Sequence, residues 1–289
     1  MTVWLPRGKT PARYEPTTVR YADVRPSGLI VPKAPKVGGG YGGDFLNWEM
    51  LGNGPQDDGS IDPTWAAAQG AGNCVYAGLG HGVFESARNA GRAIPKISGY
   101  TALKHYAAGT GYNLQTGAGD NGTDVQTALR WMQNTGYADD AGVVHKIGIF
   151  VSLEPGNLAQ LWEALWLFEE VGIGINFPAS AMDQFNAGQT WSVVPGAQID
   201  GGHYVPLVGH PTNNIWTGVT WAKRQTMTSN FLSTYCDEAY AWIDPDRYNA
   251  VTGLTQQKFN NAELTSYITQ IVNPPSKPNR FMRALGFKA

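Results

Sequence analysis

The spacing of apolar positions predicts that the first half of the chain is mainly helical. Val75, Leu79, Val83, Phe84 and Ala87 fall at spacings of three and four residues, which predicts a helix from Cys74 to about Arg92. The other helices predicted in this way are Tyr100 to Ala108, Thr123 to Asn134 with Thr123 or Asn121 near its N-cap, Asn157 to about Glu170, and Ser229 to Glu238 capped by Thr228. The Asp237–Glu238 pair is then expected to be a solvated helix end.

Short apolar runs between turn residues predict strands, most of them in the second half. The predicted strands are Ile147 to Leu153, Val171 to Phe177, Gln198 to Ile199, His203 to Gly209, Ile215 to Trp221 and Ala239 to Ile243. Helices that come first and strands that come later favour an α+β protein in two lobes. This central domain is predicted to span residues 46–272.

Both ends of the chain differ from this central part. Residues 1–45 contain recurring prolines, which predict an extended arm rather than a packed element. Two interpretations of the arm stay open, a free tail and a segment that becomes ordered against a partner subunit. Residues 273–289 are Pro-rich and then basic, and are predicted to form a C-terminal surface tail.

Composition and charge exclude several classes of protein. The 289 residues suffice for one large domain, and 10 Trp with 13 Tyr are too many aromatics for a disordered chain. A net charge of −2 argues against a nucleic-acid partner bound through a basic surface. Two cysteines, Cys74 and Cys236, form no disulfide framework and are expected to be thiols.

The chain is not expected to enter a membrane or to bind a metal or cofactor. Its most hydrophobic segment, Leu158 to Phe177, carries three glutamates, which makes a bilayer span unfavourable. Pro6 interrupts the N-terminus, which lacks an apolar run of signal-peptide length, so we expect a protein that is made and folded in a cytoplasm. Paired-histidine and Cys-x-x-Cys motifs are absent from the sequence, as is a phosphate-binding loop.

Two residues are candidates for chemistry because of where they stand. Cys74 follows the Gly-rich loop 69–73 at a predicted helix start, where backbone N–H groups favour a thiolate and lower the pKa of a cysteine. The alternative for Cys74 is a small buried apolar side chain. His203 follows two glycines and begins an apolar strand, which would hold its ring rigidly. The alternative for His203 is an ordinary hydrogen-bonded histidine.

These two segments together resemble the papain-like cysteine peptidases. The resemblance rests on a glutamine, a Gly-rich turn and Cys74 at a helix start, followed much later by Gly-Gly-His203 before an apolar strand. Residues 219–222, Val-Thr-Trp-Ala, are similar to the family's Asn-Ser-Trp-Gly segment, in which the tryptophan shields the histidine. From about Met50 to Asp244 the chain also looks like papain-like proteins encoded by bacteriophages, with Asp237 to Ala241 closing the domain.

The resemblance implies a nucleophilic mechanism. Thiolate Cys74 would attack an amide or ester carbonyl, and His203 would act as its acid–base partner. The backbone N–H of Cys74 and a side-chain amide, Gln69 or Asn73, would hold the oxyanion. Gln69 lies five residues before Cys74, whereas the family's glutamine usually lies six before, so Asn53 is a further candidate.

The residue that orients the histidine departs from the family. The position of the family's asparagine is occupied by Val219, whose side chain accepts no hydrogen bond. Thr220, Asn214 and Asp200 are the candidates for this role, and spacing does not choose among them.

Two functions follow from these observations. The first is a papain-like cysteine peptidase or amidase, phage-encoded and virion-associated, that acts on a peptide, a peptidoglycan peptide or a virion protein. The second is a virion structural or decoration protein with a papain-like scaffold and weak or no activity. In the second, residues 1–45 would lie along neighbouring virion subunits.

Overall fold

The computed structural model describes residues 8–13, 15, 18–21, 71–221, 223–256 and 258–265. Its helices are α1 (Cys74–Asn89), α2 (Gly99–Thr110), α3 (Val125–Asn134), α4 (Leu158–Phe168), α5 (Ala179–Asn186), α6 (Ser229–Tyr235) and a 3-10 turn (Pro245–Arg247). Its strands are β1 (Tyr137–Ala138), β2 (Val144–His145), β3 (Phe150–Leu153), β4 (Val171–Pro178), β5 (Ile199–Thr212), β6 (Ile215–Thr220), β7 (Lys223–Thr228) and β8 (Cys236–Trp242).

Six of these strands form one antiparallel sheet in the order β3-β8-β4-β5-β6-β7. β5 lies near the centre and pairs with β4, so that His203 faces Ile175 in the register. β1 and β2 form a separate two-stranded ladder. The predicted α+β class is confirmed, with the helices α1 to α3 preceding the sheet.

The apolar side chains form two clusters. One cluster gathers around α1, α2 and α3 and includes Val75, Leu79 and Leu129. The other lies between α4 and the sheet and includes Leu165 and Ile173. Both clusters also include residues of β5, β6 and β8, so they lie on the two faces of the sheet. The first, the helix-side core, joins the sheet to α1, α2 and α3, and the second, the sheet-side core, joins it to α4.

The predicted helix starts hold better than the predicted ends. Asn157 accepts a hydrogen bond from the backbone N–H of Gln160, and Thr228 accepts one from that of Phe231, so both are the predicted N-caps. The N-cap of α3 is Asp124, the residue directly after Thr123, and its carboxylate accepts a hydrogen bond from the backbone N–H of Thr127.

Three other sequence predictions were incomplete or wrong. α6 ends at Tyr235, so Asp237 and Glu238 belong to β8 and are not a solvated helix end. The runs at 198–199 and 203–209 are parts of one long strand, β5. β7 was not predicted, because its residues 223–228 are mostly polar.

The described parts of the N-terminal arm pack against the domain, although the prolines predicted an unpacked segment. Lys9 forms β-bridges with Thr123 and with Gly202, and Arg20 forms one with Ser152. Tyr21 is buried in the sheet-side core. The rest of residues 1–45, and all of the predicted tail 273–289, lie outside the described residues.

A buried group of ionisable side chains joins α1 to β4 and to the 3-10 turn. Arg247 donates to the Glu170 carboxylate over 3.1 Å and to the Ser86 hydroxyl over 3.1 Å, and Ser86 donates to Asp244. Burial raises the pKa of Glu170 to about 8, although Arg247 opposes this. Burial, and then the charge of Glu170, raise the pKa of Glu85 well above its usual value.

We predict that this cluster lowers the free energy of unfolding as the pH rises. A carboxyl whose pKa is higher in the folded chain binds more protons there, so the free energy of unfolding falls between about pH 4.5 and pH 8. The Glu85→Gln variant should show a shallower fall, and its free energy of unfolding should exceed that of the wild type at pH 8. Urea unfolding at several pH values measures this.

The exposed Asp183→Asn variant, on α5, is the matched control and should keep the wild-type pH dependence. Equal slopes for wild type and Glu85→Gln would contradict the prediction.

Candidate active site

Cys74 is the first residue of α1, and the loop before it is held firmly. The backbone N–H of Gly72 donates to both carboxylate oxygens of Asp120, over 3.0 and 3.1 Å. The Tyr106 hydroxyl donates to the same carboxylate over 2.6 Å. These bonds fix the loop, so the thiol is placed at the N-terminal end of a helix whose position is determined by its neighbours.

His203 lies on β5 in an aromatic setting and is fully buried. The Trp221 ring stacks on the imidazole with centroids 4.4 Å apart and planes 10° apart. Phe177 meets the imidazole edge-on, with centroids 5.4 Å apart. The ring is therefore clamped on one face and at one edge, which leaves it little freedom to rotate.

The Thr220 hydroxyl lies 2.7 Å from Nε2 of His203. Thr220 ends β6 and is itself buried, so its side chain has a defined position. When Nε2 carries the ring proton, the hydroxyl oxygen accepts a hydrogen bond from that N–H, and Nδ1 is then the basic nitrogen. Of the three orienter candidates, Thr220 is the one that the structure brings to the imidazole.

Trp221 reaches the imidazole through a backbone conformation that is rare for its residue type. Its φ is +45°, in the left-handed region, and its side chain is buried. Because such a conformation costs free energy, the surrounding contacts must hold it. Trp221 packs against Phe177, Phe185 and Trp191, which supply those contacts.

α1, which begins with Cys74, packs against β5, which carries His203. Gly78 of α1 lies against the Tyr204 ring so closely that a Cβ there would be 2.4 Å from a ring carbon. The backbone N–H of Tyr204, the residue after His203, also makes a hydrogen bond to the Cys74 sulfur. The thiol is thus in contact with the strand segment that carries the histidine.

The predicted low pKa of Cys74 was wrong for this arrangement of the chain. Cys74 is 2% exposed, and burial raises the pKa of its thiol to about 11. Backbone hydrogen bonds from Tyr204, Gly8 and Val75, and the charge of Lys9, act in the opposite direction but are weaker. Removal from water therefore outweighs the helix N-terminus that the sequence analysis relied on.

The arm contributes to this burial by lying across the site. The Gly8 backbone is in such close contact with Gly72 that neither residue has room for a Cβ. Thr123 donates its backbone N–H to the Gly8 carbonyl over 2.6 Å, and Lys9 donates to the Gly202 carbonyl over 3.2 Å. Residues 8–10 therefore bridge the Cys74 loop on one side and the strand of His203 on the other.

The other candidate residues are distributed as follows. Asn73 is fully buried directly before α1, next to Cys74. Asn214 is exposed in the β5–β6 turn, about 30 Å along β5 from His203, so its predicted role as orienter was wrong. Asp200 is exposed, Val219 is packed in the helix-side core, and Gln69 and Asn53 lie outside the described residues.

Sequence reasoning missed Lys9 and Asp120. Lys9 was one of several basic residues in a Pro-rich segment, and nothing in the segment indicated that its side chain is buried. Asp120 lies in a Gly-rich stretch that reads as an ordinary turn. Cys236, by contrast, is a buried free thiol as expected.

Among the described residues, no group of three or more His, Cys, Asp or Glu side chains is arranged to hold a metal ion. Nor does any helix in those ranges have the length and apolar character needed to cross a membrane.

Comparison with solved structures identifies the fold. Xylellain, a cysteine protease from Xylella fastidiosa, superposes with a TM-score of 0.58 at 11% sequence identity, over 82% of this chain and 95% of that one. Procathepsin B S9 from Trypanosoma congolense gives a TM-score of 0.53 at 12% identity, over 81% and 86%. No protein-family model matches the sequence, and a search of curated proteins found no significant match. The chain has a papain-like fold.

We predict that Cys74 reacts slowly with iodoacetamide while the arm is in place. At pH 8 a thiol with a pKa of about 11 holds roughly one-hundredth of the thiolate of an ordinary thiol. The Lys9→Ala variant should alkylate at least about 10-fold faster at Cys74, because the arm then loses its buried anchor. Mass spectrometry of the labelled peptides measures the rate.

Cys236 serves as the internal control, since it is the second buried thiol and burial raises its pKa to about 12. A general loss of structure would accelerate labelling of both cysteines, whereas the prediction requires acceleration of Cys74 alone.

Proposed function

We propose that this chain is a cysteine peptidase or amidase that uses Cys74 as nucleophile and His203 as acid–base partner. The observation that carries the proposal is the Thr220–His203–Trp221 group, which orients an imidazole beside the strand segment that contacts the Cys74 sulfur. A hydroxyl at one ring nitrogen and a tryptophan on the ring face fix the orientation of the imidazole, as general acid–base catalysis requires.

The reaction on these residues proceeds in two steps. His203 takes the thiol proton, the Cys74 sulfur forms a bond to the substrate carbonyl carbon, and the C=O electron pair moves onto oxygen. As the pair returns, the C–N bond breaks and His203 delivers its proton to the leaving amine. Water, deprotonated by His203, then attacks the thioester and releases the carboxylic acid and the Cys74 thiol.

Thr220 acts on this reaction through the imidazole. Its hydroxyl accepts a hydrogen bond from Nε2–H of His203, which keeps the proton on that nitrogen. Nδ1 is then the nitrogen that exchanges protons with Cys74. The same contact stabilises the imidazolium that forms with the thiolate. A threonine hydroxyl thus takes the place of the family's asparagine amide.

The oxyanion is assigned to donors around the start of α1. The backbone N–H of Cys74 is one of them, because the first N–H groups of a helix have no partner within it. Asn73 and Gln69 stay the proposed side-chain donors. Burial of Asn73 beside the nucleophile supports its part in this proposal.

The substrate proposed for this site is a peptide, with a peptidoglycan peptide or a virion protein as the specific candidates. Phage origin and a place in the virion remain predictions from the sequence resemblance. The scaffold alternative depends on an arm that binds neighbouring subunits, and the described arm residues instead pack against their own domain. That packing favours the hydrolase.

We predict a graded loss of peptide hydrolysis across the site variants. Cys74→Ala should abolish turnover, and His203→Ala should lower kcat/KM by at least about 100-fold. Thr220→Val should lower it about 10- to 100-fold, because a hydrogen bond to a charged group contributes about 1.5–3 kcal/mol. Fluorogenic peptide hydrolysis by the Lys9→Ala background measures all of these rates.

Thr220→Ser is the matched control and should restore most of the activity, since it keeps the hydroxyl. Adding Cys236→Ala should leave the rate of hydrolysis equal to that of the Lys9→Ala parent protein. Turnover that survives Cys74→Ala, or a Thr220→Val variant as active as Thr220→Ser, would contradict the proposed roles.

A further inference from the structure

A lysine side chain from the arm fills a buried acidic recess beside the candidate site. The Lys9 side chain has no exposed surface. Its ammonium lies 2.9 Å from Asp237 Oδ2 and 3.0 Å from Glu238 Oε1. It also donates to the Thr10 carbonyl over 2.9 Å, so three acceptors match its three N–H groups.

The recess is shaped for this side chain by residues of the domain. A Cβ at Gly174 would lie 2.1 Å from Lys9 Cε, and one at Gly202 would lie 2.3 Å from the Lys9 carbonyl oxygen. The Tyr240 hydroxyl donates to the second oxygen of Glu238 over 2.8 Å and fixes that carboxylate. Two glycines make the space, and an oriented carboxylate lies at its end.

The Lys9 ammonium balances the negative charge of the Asp237 and Glu238 carboxylates in the recess. Burial lowers the pKa of Lys9, but the carboxylates of Glu238 and Asp237 more than compensate and raise it. Without a cation, two carboxylates would share a site that is largely closed to water, which is unfavourable. Glu238 is 1% exposed and Asp237 14% exposed at the side chain, so solvent replaces the ammonium only poorly.

The main chain at Lys9 lies as an extended peptide between two walls. Thr123 and Gly202 both form bridges to this residue, one on each side. Added-strand pairing of this kind gives affinity through the main chain and specificity through the recesses that take side chains. The same segment passes Gly72 and the Cys74 sulfur, so the groove leads to the nucleophile.

We propose that Asp237 and Glu238 form a specificity subsite for a basic side chain, Lys or Arg, of the peptide substrate, and that Lys9 occupies this subsite in the described structure. This inference rests on the proposed function, because the groove is that of the proposed peptidase. A substrate backbone that pairs with Thr123 and Gly202 places one side chain where Lys9 now lies.

The test uses the full chain with the recess vacated by Lys9→Ala. Fluorogenic peptides carry Lys, norleucine or Glu at each of four positions before the reporter, since norleucine keeps the carbon chain and lacks the ammonium. At one position, Lys should exceed norleucine at least about 10-fold in kcat/KM, and Glu should be the poorest of the three. Adding Glu238→Gln should bring the Lys-to-norleucine ratio below about 3, because the carboxylate that pairs with the ammonium is then lost.

An arm variant outside the recess provides the matched control. Arg130 pairs with Glu15 of the arm at a partly exposed site, away from Asp237 and Glu238. Arg130→Gln, added to Lys9→Ala, should leave the Lys-to-norleucine ratio unchanged. Circular dichroism spectra and urea midpoints of all variants show that each remains folded.

Binding separates this proposal from the proposed catalysis. Fluorescence polarisation with the Cys74→Ala, Lys9→Ala double variant should show Lys peptides binding at least about 10-fold more tightly than norleucine peptides, with the difference lost on Glu238→Gln. Selective binding without hydrolysis by the Lys9→Ala chain would overturn the peptidase and keep the subsite. Equal hydrolysis or equal binding of Lys and norleucine peptides would overturn the subsite. A preference for Lys that persists in both the Glu238→Gln and the Asp237→Asn variants would also overturn it.

Discussion

The contact between α1 and β5 is the constraint on which the candidate site depends. It requires a glycine at position 78, because the Tyr204 ring occupies the volume where a side chain would lie. That close approach brings the backbone of Tyr204 to the Cys74 sulfur. α1 and β5 come from the two halves of the chain, so the candidate site forms only when α1 is packed against the sheet.

The sheet contributes the second half of the site through its central strands. His203 lies on β5, next to the β4 residues that pair with it, and Thr220 ends the neighbouring strand β6. A chain turn directly after Thr220, with Trp221 in a left-handed conformation, folds the indole over the imidazole. The histidine is therefore oriented by backbone geometry as much as by side-chain packing.

The sequence was informative where local physics decides the outcome. Helix starts at Asn157 and Thr228 were predictable because their side chains cap the next turn. Cys74 and His203 stood out through their glycine-rich approaches, and Thr220 was one of three open choices for the orienter. Choosing among those three required the pairing of β5 with β6, which local spacing does not reveal.

Long-range effects were not predictable from the sequence. The pKa of Cys74 depends on burial that the arm and β5 provide, whereas the helix N-terminus was visible and pointed the other way. Asp237 and Glu238 were assigned to a helix end because a continuous polar-apolar pattern extended α6 too far. Lys9 and Asp237 are 228 residues apart along the chain, a separation at which residue patterns carry no signal.

Tyr21 gives the arm a fixed attachment to the domain, further along the chain than the residues 8–10 that lie across the site. It is buried in the sheet-side core, and its hydroxyl donates to Glu163 over 3.0 Å. Because the arm is attached to the same domain, its residues 8–10 have a local concentration at the groove on the order of millimolar, whatever the protein concentration. Dilution therefore does not remove the arm from the groove. A peptide substrate must displace residues 8–10 of the same chain, and not only water, in order to bind.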